Sequence, residues 1–362
     1  MDNLFIYFGV KIFTNQDVHL LISNIEKDSN TQCFSHLQIP SKSLVHDVFL
    51  GWINLIFKTD GAFYHIRYCR SESEKHINEI FSSLKHLEIR DVSVGLNCTF
   101  LTTKDGRCHL FSNKNFLSEP LDLLPSICRI KNVVTEDLHS VVLTEDGKVF
   151  NFKCGEKTYL EKLVVPVPIK EITCGKEHVL LLSDFGTVFS YGSGSRGQLG
   201  HGSIENQETP VLIEALDGLK IQSISAGGWH SAAISDSGDL YMWGWNESGQ
   251  LGLPCNELQN GKRPMEEIEI ICCLPKIIEL NDEVVKAVCC GSRHTVALTE
   301  YNHLWTWGWN GYFQLGRDDV PLSDKPGMVQ LPSSFQPLQI KAKFWSTLVI
   351  GCSKHEKDTS CT

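Results

Sequence analysis

The chain has 362 residues, of which 42% are hydrophobic and 21% are charged, a composition that supports a large core and excludes an intrinsically disordered chain. Its net charge of −10 disfavours direct binding to nucleic acid, because a duplex-binding protein needs a basic face. No apolar run approaches the roughly eighteen residues that span a bilayer, so we expect no membrane segment.

The first predicted element is an apolar strand that ends on a glycine, Phe5 to Gly9. It aligns with Val188 to Gly192 and Leu240 to Gly244 later in the chain. The last repeat, Ile340 to Ile350, lacks a strand of this kind. We therefore predict that the first strand completes the last sheet and closes a ring, which removes exposed strand edges.

A strand-and-turn pattern then recurs along the chain. His178 is preceded by Ile169 and Ile172, nine and six positions earlier, and by Gly175, three positions earlier. Complete or partial copies have their origins at Asn54, Cys98, His139, His178, His230, His294 and Ser346. The unit is about forty residues plus insertions, which is the period of a four-stranded propeller blade.

Each unit reads as a series of short strands. Val179 to Leu182 is an apolar run, Asp184 to Gly186 is a turn, and Val188 to Tyr191 is β-branched and aromatic. Glycine suits such turns because it accepts a positive φ. We predict an all-β, seven-bladed β-propeller that forms a single domain over residues 1–352, followed by a polar tail at 353–362.

Two segments depart from the repeat. In Ser73 to Leu87, apolar residues follow helical spacing, which predicts a helix that covers a blade edge. Those residues are Ile77, Ile80, Phe81, Leu84 and Leu87. The second segment, Leu253 to Glu269, is an insertion that is either a partner-contact loop or a plain solvated one. Its acidic, partly apolar candidates for contact are Met265, Glu266 and Glu267.

The best-kept repeat residues are interpreted as structural. They are Gly175, His178, Gly186, Gly227, His230, Gly238, Gly291 and His294. The three histidines stand at equivalent points of different blades, so they cannot meet at one metal ion. A buried imidazole can instead bridge polar groups of adjacent strands or blades.

No motif predicts catalysis or cofactor binding. Gly192 to Gly197 fits a dinucleotide fingerprint, but the same turn recurs in the next blades and no helix pattern follows it. Nucleophile-elbow, zinc-helix and phosphate-loop motifs are missing from the sequence. We therefore predict a non-catalytic protein without a catalytic, cofactor or metal site.

The 14 cysteines include no Cys-x-x-Cys pair. Cys174 and Cys290 occupy the position that Ala226 fills in a sister blade, as expected of small buried residues. Free thiols indicate a reducing compartment, so we expect the nucleus, with the cytoplasm as a second location.

Aromatic residues in or beside the predicted turns are candidates for partner contact, because loops on a rigid ring carry binding surfaces. They are Trp229, Trp245, Trp309 and Tyr312. Tryptophan and tyrosine are favoured interface anchors, although the same residues also suit packing between blades.

Three segments resemble the regulator of chromosome condensation repeat family: Gly228 to Ser231, Tyr241 to Gly252 and Cys290 to Thr295. The resemblance is specific over residues 169–316 and fainter over 45–160, and it implies a seven-bladed propeller. Two of the blades also resemble a narrower nuclear group within this family. That likeness implies a monomeric adaptor for a JmjC-domain oxygenase, which reaches histones and chromatin through this partner.

The family leaves two other functions open. Its founding member catalyses nucleotide exchange on a small Ran-like GTPase, which requires an inserted β-wedge and, for chromatin docking, a basic N-terminal tail. This chain starts on a predicted strand and shows no basic tail, so we favour the adaptor. Substrate recruitment for ubiquitin ligation also stays open, because it requires only a binding surface.

Overall fold

The computed structural model describes residues 4–9, 45–51, 54–59, 62–67, 77–80, 87–113, 121–122, 129–136, 139–154, 158–255, 268–317 and 320–353. Its strands form seven antiparallel sheets, which are the blades of a propeller. Within these ranges, no helix is both long and apolar enough to cross a membrane.

Blades 1 to 6 have four strands each, lettered A to D in chain order. After β1 (Leu4–Gly9), blade 1 contains β2 (Val45–Leu50), β3 (Asn54–Thr59), β4 (Phe63–Arg67) and β5 (Ile77–Ile80). Blade 2 contains β6 (Ile89–Val94), β7 (Cys98–Thr103), β8 (Cys108–Ser112) and β9 (Leu121–Asp122). Blade 3 contains β10 (Ile130–Thr135), β11 (Ser140–Thr144), β12 (Val149–Cys154) and β13 (Thr158–Lys162).

The later blades follow the same order. Blade 4 contains β14 (Ile169–Cys174), β15 (His178–Ser183), β16 (Val188–Gly192) and β17 (Gln207–Leu212), followed by a 3-10 turn at Glu214–Leu216. Blade 5 contains β18 (Ile221–Ala226), β19 (His230–Ser235), β20 (Leu240–Trp245) and β21 (Ile271–Ile278). Blade 6 contains β22 (Val285–Cys290), β23 (His294–Thr299), β24 (Leu304–Trp309) and β25 (Leu322–Met328). Blade 7 begins with β26 (Phe335–Lys343) and β27 (Ser346–Ser353).

The ring closes between the two ends of the chain. Strand β1 pairs with β27 as the third strand of blade 7, with Phe8 opposite Thr347 and Ile6 opposite Val349. Ile6 and Phe8 are buried in a core that also contains Val296 of blade 6. The predicted completion of the last blade by the N-terminal strand is therefore confirmed.

The hydrophobic core lies between neighbouring blades. In blades 4, 5 and 6, every residue of the B strand is buried, because both of its faces contact adjacent sheets. Leu180 of blade 4, for example, packs with Ile221 and Trp243 of blade 5. The A strands lie side by side around the ring axis, where Cys290 N donates to Ser225 Oγ at 2.9 Å.

The predicted helix within Ser73 to Leu87 is wrong. Residues Ile77–Ile80 form the D strand of blade 1, with Ile77 opposite Ile66 and Ile80 opposite Phe63. The edge of the sheet offers backbone partners to this segment, and that tertiary pairing overrides the local helical spacing. Residues 81–86 lie outside the described ranges.

Candidate protein-binding face

The first repeat histidine lies between blades 4 and 5. His178 Nε2 is 2.8 Å from Ser231 Oγ, which donates in turn to the Gln198 carbonyl oxygen at 2.9 Å. The indole Nε1 of Trp243 donates to the same carbonyl oxygen at 2.9 Å. This group of four residues is called an inter-blade clasp, because it joins polar groups of two blades without exposing them to solvent.

The same clasp joins blades 5 and 6. His230 Nε2 is 3.0 Å from Thr295 Oγ1, which donates to the Gln250 carbonyl oxygen at 2.7 Å. Trp307 Nε1 donates to this carbonyl oxygen at 2.9 Å. The equivalence shows that the histidine, the hydroxyl residue, the Gln-Leu-Gly turn and the second aromatic of the C strand work as one unit.

The third clasp joins blades 6 and 7 and uses the N-terminal strand. His294 Nε2 is 2.9 Å from Thr347 Oγ1, which donates to the Gln314 carbonyl oxygen at 2.8 Å. Phe8 of β1 takes the place of the tryptophan and lies against Gly316. The closing strand therefore fills the aromatic position of the clasp without its hydrogen bond.

The clasp determines the protonation of its histidine. The hydroxyl group gives its only proton to the glutamine carbonyl, so the imidazole must donate from Nε2. The Nδ1 atom of each of the three rings is buried without a hydrogen-bond partner among the described residues, which favours the neutral form without a proton on Nδ1. Burial lowers the pKa of His178, His230 and His294 to about 3, which agrees with this neutral form.

The repeat glycines have two different roles. A side chain at Gly175, Gly227 or Gly291 would overlap the ring of the histidine that follows it. Gly186 and Gly238 instead lie in the turns between B and C strands, with φ of 88° and 86°. Glycine is needed at the first three positions because a Cβ would collide with the histidine ring. It is needed at the two turn positions because a side chain would strain the backbone there.

No site for metal or thiol chemistry emerges in the residues with assigned positions. They contain no group of three or more His, Cys, Asp or Glu side chains that could hold a metal ion. Their cysteines form no disulfide, and burial raises the pKa of Cys290 to about 12 and that of Cys289 to about 11. These thiols are therefore poor nucleophiles.

The turns between A and B strands lie at the same end of each blade as the loops between C and D strands. In blade 5, His230 at the start of the B strand pairs with Gly244 near the end of the C strand. Trp229 and Trp245 flank this pair, so both belong to one surface of the ring. This surface is called the A–B face, and the turns between B and C strands form the opposite face.

A line of alternating cations and indoles crosses the A–B face over blades 4, 5 and 6. The rings of Trp229 and Trp245 meet edge to face at 5.3 Å, and Arg196 lies over both, at 4.7 and 5.2 Å from their centroids. Lys176 lies 4.7 Å above Trp229, and Arg293 lies 4.5 Å above Trp245. These five residues are called the cation–aromatic ladder.

An aromatic cluster continues the ladder onto blade 7. Trp309 lies 5.1 Å from Tyr312 and 4.8 Å from Trp345, measured between ring centroids. The backbone N–H of Trp309 donates to the carbonyl oxygen of Arg293 at 2.8 Å, so the cluster adjoins the ladder. Tyr312 is 44% exposed, and its neighbour Phe313 is 48% exposed.

The structure thus brings four of the seven sequence candidates onto one surface. Trp229 and Trp245 belong to the ladder, and Trp309 and Tyr312 belong to the cluster. Sequence reasoning missed Trp345, although it precedes the blade origin Ser346 as Trp229 precedes His230. The remaining candidates, Met265, Glu266 and Glu267, lie outside the described residues.

The cation–aromatic ladder differs in charge from the chain as a whole. The ladder carries three cations, and the nearest carboxylates are those of Glu177, 3.8 Å from Arg196, and Glu247, 3.8 Å from Arg293. In this part of the face the three cations outnumber the two carboxylates, on a protein whose net charge is −10. Such a group of side chains attracts acidic groups.

The ring axis is occupied by side chains of the protein itself. From blade 7, Lys341 Nζ is 2.6 Å from Asp47 Oδ1 of blade 1. Lys343 Nζ donates to the Thr135 carbonyl oxygen of blade 3 at 2.7 Å. Nearby, burial raises the pKa of Glu171 to about 7. The lysines therefore connect blade 7 with the neighbouring blade 1 and with blade 3. The ladder and the aromatic cluster make the A–B face the candidate functional site.

Comparison with known proteins agrees with this fold. The protein is 39% identical to RCC1 domain-containing protein 1 of Mus musculus over 55% of this chain and 60% of that protein. It is 39% identical to the Homo sapiens protein of the same name over 51% of this chain and 57% of that protein. The chain thus spans less than two thirds of the length of these relatives.

A solved structure resembles the whole ring. Prp20p of Saccharomyces cerevisiae, whose structure was described with its binding to Gsp1p and histones, superposes with a TM-score of 0.76. The match covers 99% of this chain and 93% of Prp20p at 17% identity, which establishes similarity of fold alone. The profile of the RCC1-like domain matches residues 68–354. The chain therefore belongs to the RCC1-like domain family.

Proposed function

We propose that the protein is a non-catalytic adaptor whose A–B face holds a protein partner. The observation that supports this most strongly is the continuous surface of ladder and aromatic cluster across four blades, on a ring fixed by three clasps. Aromatic and arginine side chains are the residues that contribute most to protein interfaces. A rigid ring also lets such a surface bind without a large ordering cost.

The partner in this proposal is a JmjC-domain oxygenase that acts on histones or other proteins in the nucleus. It derives from the sequence likeness to the narrower adaptor group within the family. The protein would act as a monomer and reach chromatin through the oxygenase. The two relatives of 39% identity match about half of the chain, so this partner is part of the proposal.

The test is affinity purification of the full chain from nuclear extract, followed by mass spectrometry. Three baits are compared: the wild type, the A–B face variant Trp245→Ala/Tyr312→Ala, and the control variant Phe185→Ala/Tyr301→Ala. Phe185 and Tyr301 are 68% and 67% exposed in turns of the opposite face, so the control removes a similar aromatic area.

The proposal predicts that the wild type and the control retain a JmjC-domain oxygenase and that the face variant loses it. Equal retention by all three baits would reject the A–B face as the contact. Recovery of a small GTPase without an oxygenase, together with accelerated nucleotide release from that GTPase, would replace the adaptor by an exchange factor.

A further inference from the structure

The two ladder arginines differ from a structural arginine elsewhere in the ring. Arg90 donates to the carbonyl oxygens of Ile130, Lys131 and Lys104 and to the carboxylate of Glu145, at 3.0 to 3.3 Å. The guanidinium groups of Arg196 and Arg293 donate no hydrogen bond to any residue the structure describes. Each has one carboxylate at 3.8 Å, Glu177 for Arg196 and Glu247 for Arg293, which is within ion-pair distance but beyond hydrogen-bond distance.

Contacts with the indole rings restrain both guanidinium groups. The guanidinium carbon of Arg196 lies 4.7 Å from the Trp229 centroid, and that of Arg293 lies 4.5 Å from the Trp245 centroid, within the range of a cation–π contact. An arginine held in this way presents a rigid fork that matches the two oxygens of a carboxylate. The side chains of Arg196 and Arg293 are 35% and 30% exposed, so the forks are reachable from solvent.

The spacing of the forks fits an extended peptide. Both guanidinium carbons lie near the Trp245 centroid, at 5.2 and 4.5 Å, so they are no more than about 10 Å apart. Alternate residues of an extended chain are about 7 Å apart and point to the same side. Two acidic side chains separated by one residue can therefore reach both arginines.

The aromatic cluster supplies a neighbouring contact of different chemistry. Trp309, Tyr312 and Trp345 form an apolar surface beside Arg293, and Phe313 is exposed next to it. An apolar side chain of the same peptide would find a partner there, as is typical of an interface anchor.

We propose that the A–B face binds an extended acidic segment of a partner protein. Carboxylates at alternate positions pair with Arg196 and Arg293, and an adjacent apolar side chain packs on the aromatic cluster. This inference rests on the proposed function and adds the chemistry of the partner. It also implies that basic histone tails do not bind this face, because they would meet three cations.

The test measures fluorescence anisotropy of a labelled synthetic peptide titrated with the full chain. The probe alternates glutamate with serine over eight residues and ends in two leucines. The matched probes replace glutamate by glutamine, by lysine or by phosphoserine. We expect the glutamate probe to bind at least about tenfold more tightly than the glutamine probe, and less tightly at high salt, because the contacts are charge-assisted.

Protein variants assign the binding to the two forks. Arg196→Gln/Arg293→Gln is expected to weaken binding of the glutamate probe at least about tenfold. Arg196→Lys/Arg293→Lys keeps the charge but removes the planar fork, and is expected to weaken it about fivefold. The control Lys104→Gln/Lys148→Gln removes the same charge from exposed positions in turns of the opposite face and should leave binding unchanged.

Equal binding of the glutamate and glutamine probes would overturn the inference, as would tighter binding of the lysine or phosphoserine probe. The inference would also fail if the surface-lysine control lost as much affinity for the glutamate probe as the double arginine-to-glutamine variant. Self-association through this face, seen as a dimer in sedimentation that the double glutamine variant abolishes, would also overturn it. If no acidic probe binds while the face variant still loses the oxygenase, this inference fails and the proposed function stands. If the acidic probe binds but the face variant retains the oxygenase as well as the wild type does, the proposed contact with this partner is rejected and the acidic ligand stands.

Discussion

Blades 4 to 7 and blades 1 to 3 share one strand order, but their neighbours are held together by different means. The later blades repeat a clasp in which a histidine of one blade bonds a hydroxyl group of the next. In blade 4, the position that corresponds to Ser231 is Val179, which has no hydroxyl, and His139 of blade 3 instead lies edge to face with Tyr191. In blade 2, Thr99 bonds Asn113 of its own blade. The difference places the most regular polar coupling directly beneath the cation–aromatic ladder.

The earlier blades are tied to the ring from the axis instead. Lys341 and Lys343 of blade 7 reach Asp47 in blade 1 and both Thr135 and Glu136 in blade 3. A repeat that has lost its clasp is therefore compensated by two long amines from the blade that closes the ring. Each of the following predictions tests whether the two regions depend on these different contacts.

The largest effect is expected from a methyl group at a clasp glycine. Gly227→Ala would overlap the His230 ring and the Gly291 carbonyl oxygen, so it should cost at least about 3 kcal/mol of unfolding free energy. At the equivalent Gly95 of blade 2, the added carbon would meet the Thr135 side chain, and the cost should be clearly smaller. Urea denaturation of both variants gives the comparison.

The control for this prediction is Gly218→Ala. Gly218 has a φ of 84° but open space around its Cβ position, so only about 1 kcal/mol of backbone strain is expected. Equal losses at Gly227 and Gly218 would show that steric contact in the clasp is unimportant.

The second effect is a loss of stability at mildly acidic pH. The clasp histidines have folded-state pKa values of about 3, below the unfolded value of about 6.5, so the unfolded state binds more protons as the pH falls between these values. Protonation of each histidine in the unfolded state then lowers the free energy of unfolding. The loss approaches about 1.4 kcal/mol per pH unit once the pH is well below 6.5.

Glu171 acts in the opposite direction, because its raised pKa of about 7 favours folding as the pH falls from 7 towards its unfolded value. The three histidines together lose about 3 kcal/mol between pH 6.5 and 5.5 and Glu171 offsets about 1 kcal/mol, so the net loss should be about 2 kcal/mol. Glu171→Gln removes the offset and should steepen the pH dependence of urea denaturation. A stability that does not change over this range would contradict neutral clasp histidines.

The third prediction compares two buried hydroxyl groups. Thr295→Val leaves His230 Nε2 and the Gln250 carbonyl without this partner and should cost about 2 kcal/mol. Thr99→Val removes one bond within blade 2 and should cost about 1 kcal/mol. Thermal and urea unfolding of both variants test the order, and the reverse order would remove the distinction between clasped and unclasped blades.

The smallest effect concerns the axial amines. Lys343→Met removes the contacts with Thr135 and Glu136 and should cost about 1 kcal/mol. Hydrogen exchange should accelerate in β10 and β11 of blade 3 more than in β19 of blade 5. Lys286→Met, on the exposed side of an A strand, is the control and should leave both regions unchanged.

The repeat explains why much of the fold was predictable. In blades 1, 2, 4, 5 and 6, a glycine lies three positions before the origin and apolar residues lie six and nine positions before it, because each blade has the same packing need. The spacing of these copies therefore indicated the number of blades. Phe5 to Gly9 was assigned to the last blade because it has the pattern of a C strand. The helix prediction failed at Ile77 to Ile80 because four residues at the edge of a sheet take their structure from the neighbouring strand.

The binding face was only half predictable. The tryptophans carried a signal because aromatic residues beside turns stand out in a sequence. Nothing in the sequence pointed to Arg196. It lies in a loop of blade 4 and contacts the indoles of blade 5 only in the folded ring. The contacts of the axial lysines could not be predicted for the same reason, because their partners belong to blades that are distant in sequence.

The most direct test of the A–B face is hydrogen exchange of the full chain, alone and in complex with the oxygenase. The account predicts slower exchange in the segments that contain Trp229, Trp245 and Trp309, with no change in the opposite turns at 184–186 and 300–302. Slower exchange in those opposite turns, with the three tryptophan segments unchanged, would contradict it.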